Sequence, residues 1–275
     1  MQTRACILQP AILIWNQPPK GQQRLSMRPT LILSPRFTED DQALWRGAIH
    51  LGWGVERMPT WRVPSDMLTT PNPVLYLEAM FAPSIAKSFG LRLLEPPDDW
   101  LPCLPEEYRK RQISLMPLGQ ARMLEGIAFV KPPNDKSFPA KVYRGCELPN
   151  EYGDDTPVLV AEVVQWEIEF RCFVLDREPF ATSVYSRHGE PQRETGFVAS
   201  ATEIADAEAM VKHVCSDSRV AMPKATVLDV GVIAGRGWAV VEQNAAWGAG
   251  IYGCDPIAVL NVIRHAASAV DPKMK

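Results

Sequence analysis

The sequence predicts an α+β protein in which a small α/β unit precedes a larger unit of hairpins and helices. Three observations carry that prediction. A strand–helix–strand rhythm opens at Thr30. Two long segments, 165–186 and 224–244, fold back on themselves through turn residues, the first with clean alternation of polar and apolar side chains. Helix-spaced stretches, 202–214 and 255–270, follow the hairpins.

In chain order, Thr30-Leu-Ile-Leu-Ser34 is a short buried strand. Thr38 opens a helix: a hydroxyl N-cap with Asp41 three residues on resembles a capping box. Acidic Glu39, Asp40 and Asp41 suit the positive helix end, and Gly52 and Gly54 stop the helix after about His50. Residues 55–58 and 74–77 are strands. Glu78 to Phe89 has helical spacing with Gly90 at the C-cap place, and Pro83 moves its start later. Glu95 to Pro105 is a proline-rich connection, and residues 106–125 are helical with a break near Pro117. Beyond it come a strand from Gly126 to Lys131, a loop from Pro132 to Pro139, and a strand from Val158 to Ala161. In the first hairpin Gln165, Glu167, Glu169 and Arg171 face one way, and Trp166, Ile168, Phe170 and Cys172 the other. A helix runs from Thr202 to Val214. Lys224–Ile233 and Trp238–Asn244 pair through the glycine-bearing turn Ala234-Gly-Arg-Gly237, and a closing helix spans Asp255–Val270. The expected organisation is a tail over 1–27, an α/β domain over 28–100, a helical connection over 101–125 and the larger domain over 126–275.

Composition narrows the class. The chain has 275 residues, 46% hydrophobic and 22% charged, which fits a folded globular protein and excludes a disordered one. Net charge is -3, which argues against a protein whose main task is gripping nucleic acid. The six cysteines are scattered without a CxxC pair, so reduced thiols in a cytoplasmic protein are expected. The four histidines form no zinc-ligand spacing. The apolar run 5–15 is too short to span a bilayer and lacks a small-residue cleavage site. Residues 1–27 are expected to be a loosely attached tail or an over-extended start, with Met27 as initiator.

The second hairpin is the most informative place. Asp229 interrupts an apolar strand, and Glu242 and Asn244, two apart on the partner, point to one face. Two carboxylates and an amide oxygen make a hard-oxygen set that suits Mg²⁺, which keeps waters and bridges nucleotide phosphates. Lys131 ends a buried strand, and Lys136 and Lys141 follow on a turn-rich segment; such lysines reach phosphate as point charges. No P-loop is present, and a solvated lysine loop is the competing reading. Glu162, Val163 and Val164 join a strand to the first hairpin, where an extended backbone can meet an adenine edge, with Glu169 placed for ribose hydroxyls. Arg171 and Arg187 sit on facing strands as an anion site, or else pair with Glu167 and Glu169 across an exposed sheet.

In this order the segments Phe-Val-Lys131-Pro, Glu162, Glu169-Phe-Arg171-Cys-Phe-Val, Ser186-Arg187, Leu-Asp229-Val-Gly-Val and Val-Val-Glu242-Gln-Asn244 resemble the ATP-grasp fold. More narrowly they resemble a divergent clade of it, named for two arginines and a lysine, which includes a eukaryotic protein that helps assemble a translation initiation factor. The resemblance covers roughly residues 126–253, with 28–100 similar to the preceding α/β domain of such proteins. It implies two α+β subdomains gripping ATP. Lys131, with Lys136 or Lys141, would contact phosphate; Glu162, Val163 and Val164 would hold adenine; Glu169 would hold ribose. Arg171 and Arg187 would face the γ-phosphate and substrate, and Asp229, Glu242 and Asn244 would hold Mg²⁺. The implied activity is an ATP- and Mg²⁺-dependent ligase joining a carboxylate to an amine, with a peptide or protein among the candidate substrates. The alternative is an ATP-binding assembly factor with little turnover. Both require the oxygen ligands to face the cationic wall across a nucleotide-sized gap.

Overall fold

The computed structural model describes residues 28–270; the expected tail over 1–27 lies outside them. The first unit is a three-stranded parallel sheet of β1 (Thr30–Leu33), β2 (Gly54–Arg57) and β3 (Pro73–Tyr76), with β1 in the middle. Leu31, Ile32 and Leu33 are fully buried, as a central parallel strand covered on both faces requires. Helix α1 (Glu39–His50) crosses between β1 and β2, and the capping box closes as the sequence implies: Asp41 N donates to Thr38 Oγ1 at 3.1 Å and Thr38 N to Asp41 Oδ2 at 3.3 Å. Helix α2 (Ala82–Ser88) starts later than Glu78, with Pro83 in its first turn, and leads to β4 (Leu91–Leu93).

The connection departs from its helical expectation. Short helices α3 (Trp100–Cys103) and α4 (Glu106–Arg109) are followed by a strand, β5 (Ile113–Pro117), before helix α5 (Leu118–Arg122). Lys110, in the left-handed region at φ 45°, ends α4 and turns the chain into β5. β5 joins β6 (Ile127–Lys131), β7 (Lys141–Arg144) and β8 (Pro157–Ala161) in a four-stranded antiparallel sheet ordered β5-β8-β6-β7. One face packs on α5 through Leu118, Val130, Tyr143 and Val158.

The second sheet holds β9 (Trp166–Leu175), β10 (Glu178–Arg187), β11 (Glu190–Pro191), β12 (Ala225–Ile233) and β13 (Gly237–Asn244), ordered β11-β10-β9-β12-β13. Helix α6 (Ala201–Ser216), capped by Ser200 and Glu203, packs on one face against Phe170, Cys172, Val174, Leu228, Val230 and Val240. Side chains on the other face, Phe173, Leu175, Ala181, Ala225 and Val227, belong to the same core as β1, β3 and α2. The first unit is therefore welded to this sheet by a shared apolar interior. Helix α7 (Pro256–Ile263) closes that interior but ends well short of Val270: a strand, β14 (Ala267–Ala269), follows and pairs with β4.

Two bulges set which face each site residue takes. Opposite β12, Val240 pairs with Val230 and Glu242 with Asp229, so Val241 is an extra residue in β13. Opposite β9, Val184 pairs with Phe170 and Ser186 with Glu169, so Tyr185 is extra in β10. Because side chains alternate along a strand, each extra residue shifts everything beyond it to the opposite face.

Candidate functional site

Arg171, Asp229 and Glu242 form a row across three adjacent strands: Asp229 pairs with Arg171 on one side and with Glu242 on the other. Asp229 is fully buried and takes both oxygens of its carboxylate to Arg171, from Nε at 2.9 Å and from Nη2 at 2.6 Å. Arg171 donates from Nη1 to Gly250 O at 3.0 Å, and its guanidinium lies 4.5 Å from the Tyr252 ring centroid. Asn244 Nδ2 bridges the two carboxylates, 3.2 Å from Asp229 Oδ2 and 2.8 Å from Glu242 Oε1. The second sheet thus brings the three expected metal ligands together.

Lys131 arrives from the other sheet. It sits at the end of β6, and its Nζ forms an ion pair with Glu242 Oε2. The space beside this contact, walled by Pro97, Trp100, Pro133, Leu159 and Gln243, is only about 10 Å³. Beside Lys131 the expected gap is therefore narrow, and the lysine expected to reach phosphate rests directly on a carboxylate. Gln243 is 5% exposed, and neither end of its amide has a partner. Gln243 pairs with Leu228, so its side chain lies on the face opposite Glu242 and Asn244.

Electrostatics follow from these contacts. Burial pushes the Asp229 carboxyl up to about 6 against the opposing pull of Arg171. Burial also works against the charge on Arg171, but Asp229 outweighs it and holds the guanidinium ionised. Glu242 resists its own burial: Lys131 and the Asn244 amide hold it down to about 2. Glu169 is raised by burial and by Glu242 beyond it, although Ser186 and Tyr185 partly offset the rise. Tyr185 Oη donates to Glu169 Oε2 at 2.9 Å.

Among the described residues, no three His, Cys, Asp or Glu side chains form a metal cage by themselves. The donor set here is two carboxylates and an amide. It fits Mg²⁺, which completes its shell with water and phosphate, and does not fit zinc.

The structure separates several other expected residues from this row. Arg187 pairs with Ile168, so it lies on the α6 face, opposite Arg171, where it bonds both oxygens of Glu203 at 2.7 and 3.2 Å. The extra residue at Tyr185 causes this. Lys141 pairs with Val130 and so lies on the α5 face, away from Lys131; its Nζ stands 4.8 Å from the Tyr143 ring centroid. Lys136 is exposed in the loop between β6 and β7. That loop is tethered by Asn134, whose Nδ2 donates to Asp98 Oδ1 at 2.6 Å.

Glu162 pairs with Arg236 in the turn between β12 and β13 at 2.5 Å and accepts from Gln112 N at 3.2 Å. Arg236 leads the influences holding its carboxyl down to about 2. Among the described residues nothing hydrogen-bonds the backbone of Val163 or Val164, which leaves this crossing segment open to a base edge. A cleft of about 320 Å³ adjoins Glu162, but Ser114, Met116, Ala128 and Val160 place it on the α5 face of the four-stranded sheet, away from Lys131.

Sequence reasoning missed Arg111. It is 8% exposed and donates from Nη1 to Val240 O at 2.7 Å and from Nη2 to Val241 O at 2.8 Å. Nothing in the sequence sets Arg111 apart from its basic neighbours Arg109 and Lys110, so only the structure reveals it.

This arrangement of two α+β subdomains, with a lysine from one meeting an acidic row on the other, is that of an ATP-grasp protein. Residues 108–262 match the ATP-grasp domain of family 2 of the clade named for two arginines and a lysine, and the chain belongs to that family. The match begins before β5, so the strand that replaced the expected helix lies within it. No curated protein matches the chain. Among solved structures, a D-cycloserine synthetase, DcsG, superposes with a TM-score of 0.59 at 11% identity, over 86% of this chain and 98% of its own. D-alanine–D-alanine ligase from Bacillus anthracis gives 0.52 at 11% identity, over 88% of this chain and 97% of its own. The ATP-grasp ligase PsnB, complexed with a minimal precursor, gives 0.51 at 13% identity, over 87% of this chain and 99% of its own. These likenesses establish the fold. Among the described residues no helix is long and apolar enough to cross a membrane.

Proposed function

We propose that the chain is an ATP- and Mg²⁺-dependent ligase that joins a carboxylate to an amine. The observation that carries this reading is the Arg171–Asp229–Glu242 row, bridged by Asn244 and met by Lys131 from the opposing subdomain. Asp229, Glu242 and Asn244 would hold Mg²⁺, which supplies charge neutralisation to the phosphates when bound.

The chain's own residues do the remaining work. Lys131 leaves Glu242 and reaches a phosphate oxygen. Arg171 keeps Asp229 oriented, since three of its nitrogens already donate within the chain. The open backbone of Val163 and Val164 meets the base. The substrate carboxylate oxygen attacks the γ-phosphorus, ADP leaves, and an acylphosphate forms. An amine then attacks the acyl carbon, and phosphate leaves. Little covalent chemistry falls to the protein; alignment and charge compensation dominate. The solved neighbours include a D-alanine–D-alanine ligase and a ligase complexed with a precursor, which supports an amino acid or peptide as acceptor.

The test is a thermal-shift series with ATP, ADP and GTP, each with and without Mg²⁺, because a ligand of the native state raises the melting temperature by mass action. A shift with ATP that grows with Mg²⁺ is expected. Absence of any nucleotide shift overturns the reading. A shift without ADP release across a panel of amino acids and peptides would instead identify an ATP-binding assembly factor.

A further inference from the structure

We infer that Arg111 is a positioning residue for the site: it clamps the bulge that turns Glu242 out of the core and towards Asp229. The inference rests on the nucleotide reading above for its functional consequence and on geometry for its cause.

Along a regular strand Val240 and Glu242 would share a face. Val240 is fully buried in the core on the α6 side, against Phe170 and Val230. Without an extra residue Glu242 would be driven into the same apolar interior, and Asp229 would face Val241. The bulge at Val241 lets Val240 stay in that core while Glu242 pairs with Asp229 on the opposite face.

A bulge breaks the ladder locally and leaves backbone groups to be satisfied by other partners. Arg111 supplies them, with one guanidinium nitrogen on the Val240 carbonyl and the other on the Val241 carbonyl, at 2.7 and 2.8 Å. The planar fork of arginine spans two successive carbonyls, and lysine has no equivalent geometry.

Arg111 is itself held rigidly. Its guanidinium lies 5.0 Å from the Trp166 ring centroid, and Nη1 also donates to Arg109 O at 3.1 Å. The segment carrying it is docked onto the turn beyond β12: Lys110 Nζ donates to Arg236 O at 2.8 Å, and Arg236 Nη1 to Lys110 O at 2.9 Å. Arg111 precedes β5 of one subdomain and braces β13 of the other, so it also fixes how the two sheets meet.

The experiment compares the full-length protein with R111M and R111K in two readouts. In hydrogen exchange, R111M is expected to speed exchange over 240–243 at least tenfold while β9 stays protected. In the thermal-shift assay, R111M and R111K are expected to keep the shift from ATP alone within twofold and to need at least tenfold more Mg²⁺ for the additional shift. Should R111M not fold, R111K carries both readouts. Unchanged exchange over 240–243 overturns the clamp. Faster exchange with an unchanged Mg²⁺ requirement overturns the positioning role and leaves Arg111 structural only. A wild-type protein with no nucleotide response defeats the ligase reading, and the clamp is then decided by exchange alone.

Discussion

Arg171 and Arg187 lie on opposite faces of one sheet, although they occupy paired strands of a single hairpin. Arg171 meets Asp229 in the acidic row, and Arg187 meets Glu203 at the first turn of α6. The extra residue at Tyr185 separates them. Arg187→Met is therefore expected to leave the nucleotide-dependent thermal shift in place, whereas Arg171→Met abolishes it. Equal loss in both variants would return Arg187 to the site.

The same pair makes a prediction about acid. Arg187, followed by the Ser200 backbone, holds the Glu203 carboxyl down to about 2 from an ordinary 4.5. A depressed carboxylate stabilises the fold above its unfolded value, and that contribution fades as pH falls through the folded one. Stability from Glu203 is thus complete above about pH 4.5 and lost towards pH 2. Urea melts of the wild type and Glu203→Gln should converge as pH falls across that window; a constant difference contradicts the assignment.

Asp229→Asn strands a buried guanidinium. Breaking a buried pair from one side costs about 3–5 kcal/mol, whereas replacing both partners by apolar residues of similar size is often close to neutral. Asp229→Asn should therefore destabilise by about that amount in denaturant titrations, and Arg171→Met with Asp229→Leu should recover most of the loss. A double variant no better than the single one would show that the pair does not act as a unit.

Lys131→Met and Glu242→Gln each break the contact between the two sheets. Both side chains are mostly buried, at 16% and 26% exposure, so each substitution should cost more than the ~1 kcal/mol of a surface pair. Both should also remove the Mg²⁺-enhanced ATP shift, Lys131→Met by losing the phosphate contact and Glu242→Gln by losing a metal ligand. A full shift in either variant excludes that residue from the site.

Gly231 sits on β12 opposite Glu169, where a Cβ would come within 2.5 Å of the Ile168 carbonyl oxygen and 3.0 Å of the Trp166 ring. Only glycine lets the two strands close around Trp166. Gly231→Ala should cost about 1–3 kcal/mol, the usual range for overpacking, in a thermal melt; a neutral result would mean that β9 yields freely there.

Much of this was legible because it rests on short-range pattern. The Thr38–Asp41 capping box, the Ala234–Gly237 turn and the carboxylates interrupting an apolar strand all announce themselves within a few residues. What stayed hidden depends on one-residue insertions and on contacts between distant segments. Val241 and Tyr185 carry no mark of being extra, because both fit a strand in either register, so the placement of Arg187 on the α6 face could not be read. Ile113–Pro117 lay between helical turns and looked continuous with them; its strand pairing exists only because β8 comes alongside. Lys131 and Glu242 are far apart in the chain, and nothing local indicates that they touch.

The stretch from Ala245 to Cys254 passes directly from the acidic row into the first unit. Trp247 O accepts from Leu77 N, Ala249 O from Tyr76 Oη, and Asp40 accepts from Ile251 N, while Gly250 O receives Arg171. Cutting the chain down to its family-matched portion would strip Trp247, Ala249 and Ile251 of their partners Leu77, Tyr76 and Asp40. The recognisable module is thus smaller than the cooperative one, and expression trimmed to its borders should yield aggregate rather than a minimal enzyme.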